Sequence, residues 1–145
     1  MLRVVVDTNV FVSSLLNKTG APARVVDAWR SGEYLLVISP SIIAEIEKVL
    51  ALPRIRKKYA LAVKDIQQLI DLLEKETILV PGLSHIDTTI AEDPTDEIFL
   101  SCALDAGADA IVSGDRHLLN LEQFKGIPIM TVRNFLGRLV EHMKT

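Results

Sequence analysis

The chain has 145 residues, 49% of them hydrophobic, and a formal net charge of −3. That length suits one globular domain over 1–145, able to bury about two-thirds of its unfolded surface without cross-links. The lone cysteine, Cys102, excludes an intrachain disulfide and a multi-cysteine zinc site. The opening stretch to Val6 falls far short of the roughly 20 apolar residues that span a bilayer, so a cytoplasmic protein with no membrane partner is expected.

Arg3-Val4-Val5-Val6 is a β-branched run without polar alternation, which reads as a buried parallel strand stopping at Asp7-Thr8-Asn9, with a helix following. Ala21 to Arg30 carries apolar residues at helical spacing, opened by Gly20 and Pro22 and closed by Ser31-Gly32. Tyr34 to Ile38 is a second buried strand, closed by Ser39-Pro40, and Ser41 to Leu50 a helix. Leu52-Pro53 breaks the chain, after which Arg54 to Glu76 reads as helices bearing most of the clustered positive charge. Thr77 to Val80 is a third strand, stopped by Pro81-Gly82. Pro94 to Ala106 is a helix, Ala110 to Val112 a fourth strand and Ile127 to Met130 a short fifth, whose Pro128 argues for an edge position. A last helix runs from about Val132 to Met143. This alternation predicts an α/β three-layer sandwich around a mainly parallel sheet of about five strands, in which ligands bind beyond the carboxyl ends of the strands.

Four carboxylates invite a second reading beside their ordinary one. Asp7 ends the first strand, where it is either a ligand-facing group or a cap for the next helix. Glu45 has Ile42 and Val49 as helical neighbours, which sets it at the border of the apolar face, tucked at a site or reaching past it to water. Asp93-Pro94-Thr95-Asp96-Glu97 is explicable as helix-start chemistry with Asp93 as N-cap, yet Asp96 continues the stripe of Phe99, Leu100 and Ala103. Asp115, after Ser113-Gly114, ends the fourth strand and can equally cap a short helix from Arg116. A doubly wound fold gathers strand-end and inward-facing helix acids at one edge of the sheet. Four converging carboxylates repel one another unless a cation neutralises them, and an oxygen-only set selects Mg²⁺ or Mn²⁺ over zinc.

At these residues the chain resembles the PIN-domain family, the nucleases named from the PilT N-terminus, which include VapC-like toxins of toxin-antitoxin pairs. The matching pieces are Val6-Asp7-Thr8-Asn9-Val10, the helix from Ser39-Pro40 to Glu45, Asp93-Pro94-Thr95-Asp96 leading to Ala103, and Val112-Ser113-Gly114-Asp115. The resemblance implies a Rossmann-like PIN sandwich, homodimerisation, a cognate antitoxin and RNA hydrolysis with a divalent metal. It carries the family's acidic quartet onto Asp7, Glu45, Asp96 and Asp115, with Asp7, Asp96 and Asp115 as metal ligands and Asn9 and Ser113 in support. Asp93 and Glu97 stand as extra acids beside the quartet.

An acidic chain must still attract RNA, and Arg54, Arg56, Lys57 and Lys58, flanked by Lys48 and Lys64, form the candidate phosphate-gripping patch, or else a solvated helix face. Tyr59 is a base-stacking or a packed residue, Trp29 a core or dimer-interface residue, and His117 and His142 surface residues. Two rival readings remain. A Mg²⁺-dependent phosphotransfer enzyme would want Asp-x-Asp at the first strand, where Asn9 removes the second acid; a non-catalytic RNA- or protein-binding module would use the acids for structure alone.

Overall fold

In the computed structural model, which describes residues 1–84 and 94–144, the three valines lie where a strand buried on both faces belongs, at the middle of the sheet. This strand, β1 (Arg3–Val6), pairs in parallel with β2 (Leu35–Ile38), and beyond it β3 (Ile78–Leu79) forms one edge. On its other side β1 pairs in parallel with β4 (Ala110–Val112), followed by β6 (Ile127–Met130) and β5 (Gln123–Phe124). The strand order is therefore β3-β2-β1-β4-β6-β5. From β1 the chain works outward to β3 and then returns to β4 on the far side of β1. Right-handed crossovers in opposite directions place their helices on opposite faces, giving the expected three layers and a switch point between β1 and β4.

Helices α1 (Thr8–Leu16) and α2 (Ala21–Arg30) connect β1 to β2, and α3 (Pro40–Leu50), α4 (Pro53–Tyr59) and α5 (Val63–Lys75) connect β2 to β3. The helix α6 (Pro94–Ala106) precedes β4, a short α7 (Arg116–Asn120) follows it, and α8 (Val132–Lys144) ends the chain. The core joins Val4, Val5, Ile111 and Val112 of the sheet to Ile42 and Ile46 of α3, Leu100 and Ala103 of α6 and Phe135 of α8, all essentially without exposure. Phe135 packs edge-on against Tyr34 at 5.1 Å, while the Tyr34 hydroxyl donates to the Val25 carbonyl at 2.8 Å. Trp29 is a core residue too: its ring meets Phe11 edge-on and its Nε1 donates to the Glu76 carbonyl at 2.9 Å.

Two details depart from the sequence expectation. The sheet has six strands, because β5 folds back antiparallel onto β6 through Lys125 and Gly126, both at positive φ. A two-residue strand carries too few side chains to show a period. Nor is β6 an edge strand. Pro128 sits opposite Gln123 of β5, and the ladder to β4 begins one residue later at Ile129, so the missing N–H takes no bond from it. Among the described residues no helix is long and apolar enough to cross a membrane.

Candidate functional site

The register of β1 against β4 sets Val6 beside Val112, and the Asp7 amide donates to the Val112 carbonyl at 3.0 Å, which brings the two strand ends level. Each end then turns directly into a helix, and each uses its aspartate as the N-cap. Asp7 Oδ1 accepts from the Asn9 amide at 2.6 Å at the head of α1, and Asp115 Oδ1 accepts from the His117 amide at 2.8 Å at the head of α7. Ser113 ties them together: its fully buried hydroxyl donates to Asp7 Oδ2 and accepts from the Asp115 amide at 2.9 Å. Asp96 enters from the first turn of α6 and Glu45 from the middle of α3, between the buried Ile42 and Ile46.

Asp7, Glu45, Asp96 and Asp115 line one cavity of about 90 Å³, together with Thr8 and Asn9 and the apolar side chains of Val49, Phe99 and Leu118. Among the described residues no lysine, arginine or histidine lines it. Asp7 and Asp96 are only 4% and 3% exposed, whereas Glu45 and Asp115 are half-buried. Burial pushes the Asp7 carboxyl above the ordinary aspartate range; the Ser113 and Asn9 bonds oppose this and the nearby Asp115 charge adds to it. Among the described residues no three acidic, histidine or cysteine side chains close around a single point.

The donor set fits a hard divalent cation. It offers carboxylate oxygens, and it includes a buried polar atom with no protein partner: Thr8 Oγ1 is sealed from solvent and makes no hydrogen bond. Thr8 is a residue the sequence reading passed over, because Asp-Thr-Asn reads as cap chemistry and a threonine after a cap is ordinary.

The remaining candidates divide. Asn9 supports Asp7 through its backbone amide, with its side chain exposed. Glu97 is half-buried and is not among the residues lining the cavity, while Asp93 lies outside the described residues. Arg54, Arg56 and Lys57 are exposed on α4, and the side chains of Lys58 and Tyr59 lie outside the described part. Arg56 shares a surface cleft with Glu47 and Glu74, so part of that positive charge is offset locally. Arg54, Arg56 and Lys57 are not among the residues that line the acidic cavity. Glu45 and the end of α3 at Leu50 are about 8 Å apart along the helix axis, and α4 follows after two residues. His117 and His142 are exposed, as expected. A larger cavity, about 740 Å³, lies near the starts of β2 and β3, between the ends of α2 and α5. The Trp29 and Tyr34 polar atoms there are already bonded to backbone carbonyls.

A family model described as PIN domain matches residues 3–117. An uncharacterized protein of Methanocaldococcus jannaschii is 29% identical over 120 residues, covering 83% of this chain and 75% of that protein. Two crystal structures share the fold. VapBC2 from Rickettsia felis, bound to a DNA fragment from their promoter, aligns with a TM-score of 0.56 at 12% identity over 90% of this chain and 98% of that one. PAE2754 from Pyrobaculum aerophilum aligns with a TM-score of 0.64 at 16% identity over 97% and 90%.

Proposed function

The chain belongs to the PIN domain family, and from that premise we propose that residues 1–145 form one PIN domain acting as a divalent-metal-dependent ribonuclease. The observation that carries this reading is the convergence of Asp7, Glu45, Asp96 and Asp115 on the wall of one cavity. Capping accounts for Asp7 and Asp115 at the strand ends but gives Glu45, in the middle of α3, no reason to join them, and ionised carboxylates gathered in one cavity cost stability unless a cation offsets them.

Asp7 and Asp96, the two most buried acids, hold Mg²⁺ or Mn²⁺, with Asp115 as a further ligand. The bound cation supplies Lewis-acid polarisation of the scissile phosphate and a lowered pKa for the attacking water. Ser113 and the Asn9 amide fix the Asp7 carboxylate, so the group that meets the cation does not have to be ordered at the moment of binding. Glu45, half-buried at the cavity wall, orients the attacking water and takes its proton. Hydroxide then bonds to phosphorus in line with the departing oxygen, the P–O3′ bond breaks, and the released O3′ takes a proton from solvent, so one fragment leaves with a 3′-hydroxyl and the other with a 5′-phosphate. Val49, Phe99 and Leu118 restrict solvent at the acids.

Arg54, Arg56, Lys57 and Lys58 draw the RNA backbone towards the cavity over α3. The shared fold with VapBC2 supports a cognate antitoxin as partner, and the family resemblance supports a homodimer. A panel of labelled RNAs incubated with Mg²⁺ or Mn²⁺, and separately with EDTA, tests the reading. The expected result is metal-dependent cleavage giving 3′-hydroxyl and 5′-phosphate ends. Intact RNA under every metal would make a non-catalytic binding module the better account.

A further inference from the structure

Thr8 is the first residue of α1 and 6% exposed, and its hydroxyl is buried without a hydrogen-bond partner. Buried hydroxyls in folded proteins are nearly always paired, so one that is not needs a reason. Capping is not the reason, because the head of α1 is already capped by Asp7. Packing is not the reason either: valine would fill the same volume and carry no unsatisfied atom. The residue also forms part of the wall of the acidic cavity, between Asp7 and Asn9. The residue that carries this unpaired donor thus shares a cavity wall with four carboxylates, where a hydrated cation is expected, and a cation's water shell can supply the partner that the protein does not.

We propose that Thr8 is a positioning residue of the metal site, its Oγ1 hydrogen-bonding to the water shell of the bound divalent cation. The inference rests on the metal-dependent reading above. It follows that the hydroxyl weakens the empty protein and strengthens the loaded one, so its removal moves two measurements in opposite directions. A residue with a purely structural role moves both the same way.

The test uses the full chain, with Thr8→Val, Thr8→Ser and Asp7→Asn beside the natural protein, melting each in EDTA and titrating each with Mn²⁺ by calorimetry. Thr8→Val is expected to melt at or above the natural temperature in EDTA and to bind Mn²⁺ about tenfold more weakly, the usual consequence of removing an outer partner of a metal site. Thr8→Ser, which keeps the hydroxyl, is expected to bind as the natural protein does. Unchanged Mn²⁺ affinity in Thr8→Val, with binding abolished in Asp7→Asn, overturns the inference and leaves the metal site standing. A large fall in melting temperature for Thr8→Val in EDTA overturns it as well, by showing that the hydroxyl already has a partner. If the natural protein itself shows no saturable Mn²⁺ binding, the metal-dependent reading fails and the inference with it.

Discussion

Replacing Asp7 by asparagine should stabilise the metal-free protein while removing its activity, and the sign and pH dependence of the effect follow from the site. Asp7 is only 4% exposed, and desolvation is the largest influence on its carboxyl, reinforced by Asp115. Asparagine is uncharged yet keeps an oxygen for the Asn9 amide, and its NH₂ can donate to the Ser113 hydroxyl in place of the bond now running the other way. The hydrogen bonds survive and the buried charge does not. The net effect is a gain in stability, read as a higher melting temperature for Asp7→Asn in EDTA. Because the folded pKa is raised, the native state binds more protons than the unfolded chain between the ordinary aspartate range and that raised value. Stability of the natural protein therefore falls as pH rises through that window, and the advantage of Asp7→Asn grows with it. Thermal melts in EDTA at pH 4 and pH 8 read this directly, with a gain at pH 8 that shrinks at pH 4. Saturating Mn²⁺ should then invert the ranking, since a ligand at 100 times its Kd adds about 2.7 kcal/mol to the protein that binds it. A variant less stable than the natural protein in EDTA at pH 8, or a difference independent of pH, would refute the reasoning.

Three further outcomes are expected. Ser113→Ala removes the buried hydroxyl that serves both Asp7 and Asp115 and should cost about 1–3 kcal/mol in urea unfolding; a neutral result would mean the two strand ends are held by other means. Phe135→Ala empties a fully buried position against Tyr34 and should cost about 3–5 kcal/mol, read from the same denaturant midpoint at unchanged slope. Replacing Arg54, Arg56 and Lys57 together by alanine should weaken single-stranded RNA binding and flatten its dependence on salt, by about 0.7 in the log-log slope for each phosphate that the protein ceases to neutralise. An unaltered slope would assign that face of α4 to solvent.

Much of this architecture is legible in the sequence because the strands are buried on both faces. Val4-Val5-Val6 and Ala110-Ile111-Val112 have no polar alternation to confuse, and each stops at or just before an aspartate. Of the cap and ligand readings of Asp7 and Asp115, the structure shows the cap; the ligand reading proposed above is compatible with it, because a parallel sheet puts a strand-end capping acid at the edge where ligands bind. Glu45 and Asp96 are legible as positions on the border of an apolar stripe, but only packing shows that α3 and α6 deliver them to the same cavity. What the sequence hides is weaker signal or longer range. The two-residue β5 has no period, the central placement of β6 depends on where its ladder to β4 starts, and the unpaired hydroxyl of Thr8 is visible only once every neighbouring atom is known.

The most direct test of the central claim is cleavage of one labelled RNA substrate by the natural protein and by Asp7→Asn and Asp96→Asn, each first shown to melt cooperatively, with Mn²⁺ and with EDTA. The account predicts cleavage by the natural protein in Mn²⁺ alone and none by either folded variant. Cleavage that survives both substitutions, or that persists in EDTA, would contradict it.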